Sequence, residues 1–216
     1  MSATSVDLID LVYTGSLVTW IKEVVEEKVA FNYTVLLEEL ARLREERGYR
    51  KSDGAFAPAA VDLMSERQFK FTDALQHRGI AVERIDYRQT YVSRTVEKDV
   101  IYQEATPLSV APVLSFLLGR LAERGKAGDL QSEALVVTGS FDMYHPLRQL
   151  VDTCKGRAGL VYFKRLLDPR WSQVFEEDTS IEFHDITSLS EAILGVDLAK
   201  ILAKKRTRSE SGISSF

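Results

Sequence analysis

The sequence predicts a three-layer α/β domain built on a mainly parallel central sheet, and three observations carry that expectation. Segments rich in Val, Ile, Leu and aromatic residues alternate with segments whose apolar residues recur at helical spacing, which is the pattern of repeated strand-helix units. Two of the runs, EALVVTG at 133–139 and AGLVYFK at 158–164, are almost continuously apolar, as strands covered on both faces must be. The chain has 216 residues, 45% hydrophobic and 28% charged, enough to bury a core in one domain, and no low-complexity linker divides it. We therefore expect one domain over residues 1–203 and a polar, disordered tail over 204–216, where RTRSESGISSF offers no core face.

Element by element, SVDLIDLVY (5–13) predicts the first strand and GSLVTWIKEVVEEKV (15–29) the first helix. FNYTVLLEELARLREERG predicts the next helix: Leu36, Leu37, Leu40 and Leu43 share a face, charge fills the rest, and Gly48 offers the C-terminal cap. GAFAPAAV (54–61) reads as a short buried strand whose pairing Pro58 restricts. A helix from about Ser65 closes at Gly79, and GIAVERIDYR alternates as a half-buried strand does. TYVSRTVEKDVIYQ mixes β-branched, aromatic and charged residues and fits a strand, a hairpin or an extended loop equally. From Pro107 or Ser109 to Arg124 the pattern is helical, with Pro112 in the first turn, where its missing N–H costs nothing. After EALVVTG come a helix over about Tyr144–Thr153, the strand AGLVYFK, an edge strand SIEFHDI (180–186), and one or two helices over 188–205.

Composition and motifs narrow the function classes. The single cysteine, Cys154, makes no internal disulfide, and MSATSVDL lacks the basic and apolar regions of a secretory signal, so a reducing, cytoplasmic setting is expected. The longest apolar stretch, Leu108–Gly119, is well short of the roughly 20 residues that span a bilayer. A net charge of −4 argues against a protein that coats nucleic acid, while leaving room for one basic groove. There is no GxxxxGK[ST] phosphate loop, no dinucleotide fingerprint and no GxSxG elbow, and His77, His145 and His184 are too far apart in sequence for a zinc-finger spacing.

What remains is VVTGSFDMYHPL (136–147), a buried strand that stops on Thr-Gly-Ser with an aspartate two residues later. In open α/β sheets ligands bind at the carboxyl ends of the strands, at the point where the strand order reverses. Asp10, a carboxylate inside the apolar run LIDLVY, belongs to such a site or to a buried hydrogen-bond network. Asp142 is either the N-cap of the helix beginning near Tyr144 or, if the two strands are neighbours, Asp10's companion at the switch point. Ser140 supplies a hydroxyl between them, and His145 is a surface histidine or a proton carrier.

The order of pieces, LIDLVY, GIAVERID, EKDVIYQE with its following helix, and ALVVTGSFDMYHPLRQLVDTCKGRAGLVYF, resembles the NYN domains of the PIN-like nuclease superfamily over roughly residues 5–186. That resemblance implies a PIN-like, Rossmann-like sheet and a divalent-metal-dependent ribonuclease with carboxylates holding Mg²⁺ or Mn²⁺, here Asp10 and Asp142 as metal ligands. In the family the turn after the fourth strand usually carries S-G-D-x-D-F, and here Ser140 stands in the first aspartate's place. The family's first strand usually ends D-x-x-N, where this chain has Asp10-Leu11-Val12-Tyr13. A middle acidic residue is expected from Asp99 or Glu104, each equally readable as a solvated charge. The implied partner is single-stranded RNA: Arg84, Arg88, Arg94 and Lys98 are interleaved with Tyr87, Tyr91 and Tyr102, a mixture of charge and rings that suits an unpaired strand or, alternatively, a solvated face. KRLLDPRW adds Lys164, Arg165, Arg170 and Trp171 to the same rim. A lapsed member of the fold, serving as a nucleic-acid-binding or protein-interaction module or a homodimer, is the alternative, and a small-molecule enzyme on a doubly wound sheet is the third.

Overall fold

The structure is a computed structural model that describes residues 5–11, 21, 25, 29–62, 64–86, 92–97, 100–105, 110–127, 132–177 and 179–212, without the side chains of 86, 92–105, 125–127, 153–154 and 206–212. Six parallel strands form the central sheet: β1 (Ser5–Ile9), β2 (Ala55–Val61), β3 (Ile80–Asp86), β6 (Glu133–Val137), β7 (Arg157–Tyr162) and β8 (Ile181–Asp185), in the order β3-β2-β1-β6-β7-β8. Successive strands run outward in opposite directions from β1 and β6, so the strand order reverses between these two, and β8 is the edge strand its alternation predicted. The helices are α1 (Tyr33–Arg47), α2 (Glu66–Gln76), α3 (Ala111–Ala127), α4 (Tyr144–Cys154), α5 (Arg170–Glu177), α6 (Ser190–Leu194) and α7 (Leu198–Gly212).

Two apolar layers lie on the two faces of the sheet. Ile9, Leu135 and Val137 pack with Leu36, Leu40 and Leu43 of α1, Leu75 of α2 and Leu198 of α7. Leu8, Val136 and Leu160 pack with Leu114 and Leu118 of α3, Leu147 and Leu150 of α4, and Trp171 of α5. Because strand side chains alternate, neighbours such as Leu8 and Ile9 serve opposite layers, which makes the architecture three-layered. Of the expected helix at 15–29 the described residues are Ile21, Val25 and Val29; Ile21 and Val25 are helical and buried. The stretch left open at 90–103 is an antiparallel hairpin, β4 (Val92–Glu97) paired with β5 (Val100–Ala105) from Val92↔Ala105 to Glu97↔Val100.

Local chemistry explains several boundaries. Asn32 accepts the Val35 N–H at the start of α1, and Gly48 ends it in the left-handed region at φ 67°. β2 pairs with β3 along its whole length but with β1 only at Asp7↔Ala55 and Leu8↔Phe56, so that ladder stops before Pro58, which has no N–H to give. One expectation is corrected. α7 continues to Gly212, so 204–212 is helical rather than a disordered tail; Arg206, Arg208 and Glu210 are adequate helix formers that extend a helix already anchored at Leu198. Among the charged residues of α1, Glu39 and Arg44 are buried. Among the described residues no helix is long and apolar enough to cross a membrane.

On the α1 face His184 is buried beside the Tyr49 hydroxyl (3.4 Å), with Glu182 at 3.8 Å and Arg157 bound to Glu182 at 2.6 Å. Burial holds the imidazole below its ordinary value, outweighing the pull of Glu182. The unfolded chain therefore takes up a proton near pH 6.5 while the folded chain resists it, and stability falls as pH drops through and below about 6.5. Urea unfolding between pH 7.5 and 5.5 should show this slope, at most about 1.4 kcal/mol per pH unit for one proton, and His184→Gln should flatten it.

Candidate functional site

The carboxyl ends of β1 and β6 meet at the reversal of strand order. The Asp10 N–H donates to the Val137 carbonyl (3.1 Å), carrying the β1–β6 ladder one residue beyond β1 and placing the Asp10 side chain, 3% exposed, beside the turn that follows β6. Three hydrogen bonds then run from one carboxylate-bearing segment to the other. The Asp142 N–H donates to Ser140 Oγ (3.3 Å), the Ser140 N–H to Thr138 Oγ1 (3.2 Å), and the Thr138 hydroxyl to Asp10 Oδ2 (3.1 Å). Asp142 is exposed and sits in a short 3-10 turn, Phe141–Met143, of which Ser140 is the N-cap. Asp142 does not cap α4, contrary to the first of its two readings: the 3-10 turn intervenes, and the residue at the α4 cap is Met143, without a side-chain bond.

The next loop straps this turn in place. The Asp168 N–H donates to the Gly139 carbonyl (3.1 Å) and the Trp171 indole N–H to the Ser140 carbonyl (3.3 Å). Trp171 is fully buried, so it holds the turn from within and is not a rim residue. Tyr162, at the end of β7, is buried with its ring against Gly139 and its hydroxyl without a hydrogen-bond partner among the described residues; burial and the nearby Asp10 charge raise its pKa. Asp10, Asp142 and Asp168 follow the ends of β1, β6 and β7, and Asp185 is the last residue of β8. Asp168 is taken by Arg170, which lowers its pKa, and Asp185 accepts the Lys164 N–H (3.2 Å), the Thr187 N–H (2.9 Å) and the Thr187 hydroxyl. Asp10 and Asp142 are the two at the switch point.

Of the expected strand-guiding residues, Lys164 and Arg165 are exposed in the 3-10 turn Lys164–Leu166 directly after β7, at the same end of the sheet as Asp10 and Asp142. Arg84 lies on edge strand β3, where Thr72 Oγ1 (2.7 Å), the Asp73 carboxylate and the Phe69 ring engage it, so its guanidinium fastens β3 to α2. Arg88, Tyr91, Lys98 and Asp99 lie outside the described residues. The backbone places Arg94 and Glu104 in the β4–β5 hairpin, opposite Gln103 and Ser93. Among the described residues no three of the types His, Cys, Asp and Glu come together as a metal cluster. A cavity of about 160 Å³ lies beneath α3, lined by Val6, Leu8, Phe56, Leu117, Arg120, Leu121 and Arg124, on the face of the sheet and not at the end of β6.

Thr138 is the site residue that sequence reading missed. A β-branched residue closing an apolar run reads as strand, and its hydroxyl gains a task only once β1 and β6 are neighbours.

No family model matches the chain, and no curated protein matches it. Its fold is similar to that of a protein of unknown function from Vibrio parahaemolyticus RIMD 2210633, seen in a crystal structure, at a TM-score of 0.56 and 12% identity over 85% of this chain and 94% of that one. At that identity the likeness concerns the fold alone.

Proposed function

We propose that the switch point is a NYN-like, PIN-type ribonuclease site that acts on RNA phosphodiesters with Mg²⁺ or Mn²⁺. The observation that carries this reading is the pair of aspartates joined through Thr138 and Ser140 at the carboxyl ends of two adjacent parallel strands. The donor set fits a hard cation: Asp10 and Asp142 supply carboxylate oxygens, Thr138 and Ser140 hydroxyls, and magnesium is commonly bound by one or two carboxylates with water and phosphate completing its shell. A bound ion would activate water and stabilise the leaving oxygen. The chain's own part is to hold the donors. Thr138 orients Asp10, Ser140 fixes the backbone at Asp142, and the exposed Lys164 and Arg165 offset phosphate charge. The setting we propose is cytoplasmic.

Calorimetry with Mg²⁺ and with Mn²⁺ on the wild type, Asp10→Asn and Asp142→Asn, followed by incubation with single-stranded RNA, tests the reading. The expected result is metal binding and cleavage by the wild type and loss of both in each variant. RNA binding without metal binding or cleavage moves the chain to the lapsed, nucleic-acid-binding class; binding of neither removes the nucleic-acid reading altogether.

A further inference from the structure

We infer that Arg170 is a stacking platform for one unpaired nucleobase of the strand bound at the switch point, which rests on the RNA reading above. Phe141, in the same short turn as Asp142, lies flat against Tyr144, with ring centroids 5.3 Å apart and planes at 10°. The other member of the pile is Arg170, its Cζ 4.5 Å from the Phe141 centroid. The buried Trp171 meets both rings edge-on, at 5.2 Å from Phe141 and 6.1 Å from Tyr144, so the column has a fixed base.

Two features separate Arg170 from an ordinary surface arginine. Asp168 grips it as a fork, accepting from Nε at 2.9 Å and Nη2 at 2.7 Å, and also accepts the Arg170 backbone N–H at 3.0 Å. Asp168 is itself tied by its N–H to Gly139. A long side chain that would otherwise lose rotamer freedom on binding is thus already ordered. Yet 63% of the side chain is exposed. A guanidinium whose charge a carboxylate already balances makes a weak phosphate clamp, but its plane remains a good surface for a base, since bases stack on Arg planes as they do on aromatic rings. The platform also stands where a bound strand passes: Phe141 and Asp142 are adjacent in the turn, and the Asp142 charge acts on Arg170.

The test uses the full chain as wild type, Arg170→Lys and Arg170→Ala, with fluorescence anisotropy on a labelled oligoadenylate and on an abasic ribose-phosphate oligomer of equal length. Thermal melts establish that the variants fold, which the exposure of Arg170 favours. The expected result is that Arg170→Lys, which keeps the charge and loses the plane, weakens oligoadenylate binding about tenfold and leaves the abasic oligomer unchanged. Equal loss on both oligomers shows a simple charge contact and overturns the platform, as does no loss on either. If the wild type binds neither oligomer, the RNA reading fails first and the platform fails with it; wild-type binding that Arg170→Lys leaves intact sinks the platform alone.

Discussion

Arg44→Met should destabilise the protein by about 3–5 kcal/mol while leaving the switch point untouched. Arg44 of α1 is 4% exposed and Asp7 of β1 6% exposed. The guanidinium donates from Nε to Asp7 Oδ1 (2.6 Å), from Nη1 to the Ser5 hydroxyl, and from Nη1 to the Arg50 carbonyl (3.0 Å). Burial raises the Asp7 carboxyl pKa even against the pull of Arg44, so removing the cation strands a carboxylate that is already poorly solvated. Against a total stability of roughly 5–15 kcal/mol such a loss is severe. Two further results identify its cause. The deficit of Arg44→Met should shrink as pH falls towards the carboxylate range, because a protonated Asp7 is cheaper to bury. The double variant Asp7→Leu with Arg44→Met should be more stable than Arg44→Met alone, since an apolar pair leaves no charge behind. Urea unfolding at pH 7.5 and 5 measures both; a loss below about 1 kcal/mol for Arg44→Met would mean that the pair does not clamp α1 to the sheet. Asp7 is the middle residue of β1, and the clamp on it extends to Ser5 and Arg50, away from the carboxyl end that carries Asp10, so any metal binding should survive in the folded fraction.

That buried pair also marks where sequence reasoning ends. The sheet and its helices were legible because they rest on local signals: EALVVTG and AGLVYFK are apolar throughout, Leu36, Leu40 and Leu43 repeat at helical spacing, and Gly48 occupies the left-handed position it was expected to fill. Arg44 was only one of the charges that fill the rest of α1, because its partner lies 37 residues away and becomes visible only when α1 covers β1. Asp10 was legible as a carboxylate inside an apolar run. Its link to Asp142 through Thr138 and Ser140 was not, since that chain of bonds depends on strand order. The contacts of Arg84 were hidden for the same reason, since its neighbours on α2 meet it only when α2 packs beside β3, whereas Lys164 and Arg165 stand exposed in the turn that follows β7.

Gly139 answers the question that VVTGSFD poses, why a buried strand should end on a glycine, and it yields the second large effect. The backbone there does not lie in the left-handed region, so no turn geometry demands glycine. The demand is steric: a Cβ at 139 would lie 2.4 Å from Tyr162 Cε1 and 2.9 Å from its Cδ1 and Cζ. Tyr162 is fully buried and cannot swing into solvent, so Gly139→Ala forces either the ring or the turn to move, at about 1–3 kcal/mol. The turn carries the Gly139 and Ser140 carbonyls that Asp168 and Trp171 hold, so its displacement reaches both Asp142 and the Arg170 column. Tyr162→Leu removes the atoms in the way and gives up a hydroxyl that has no hydrogen-bond partner among the described residues. The two substitutions should therefore couple, the double variant being more stable than the sum of the single losses predicts by about 0.5–3 kcal/mol. Denaturant unfolding of the four proteins decides the matter: additive losses would show that the Tyr162 ring is not what requires glycine at 139. Coupling together with restored metal binding in the double variant would tie the position of Asp142 to the clearance between one glycine and one buried tyrosine.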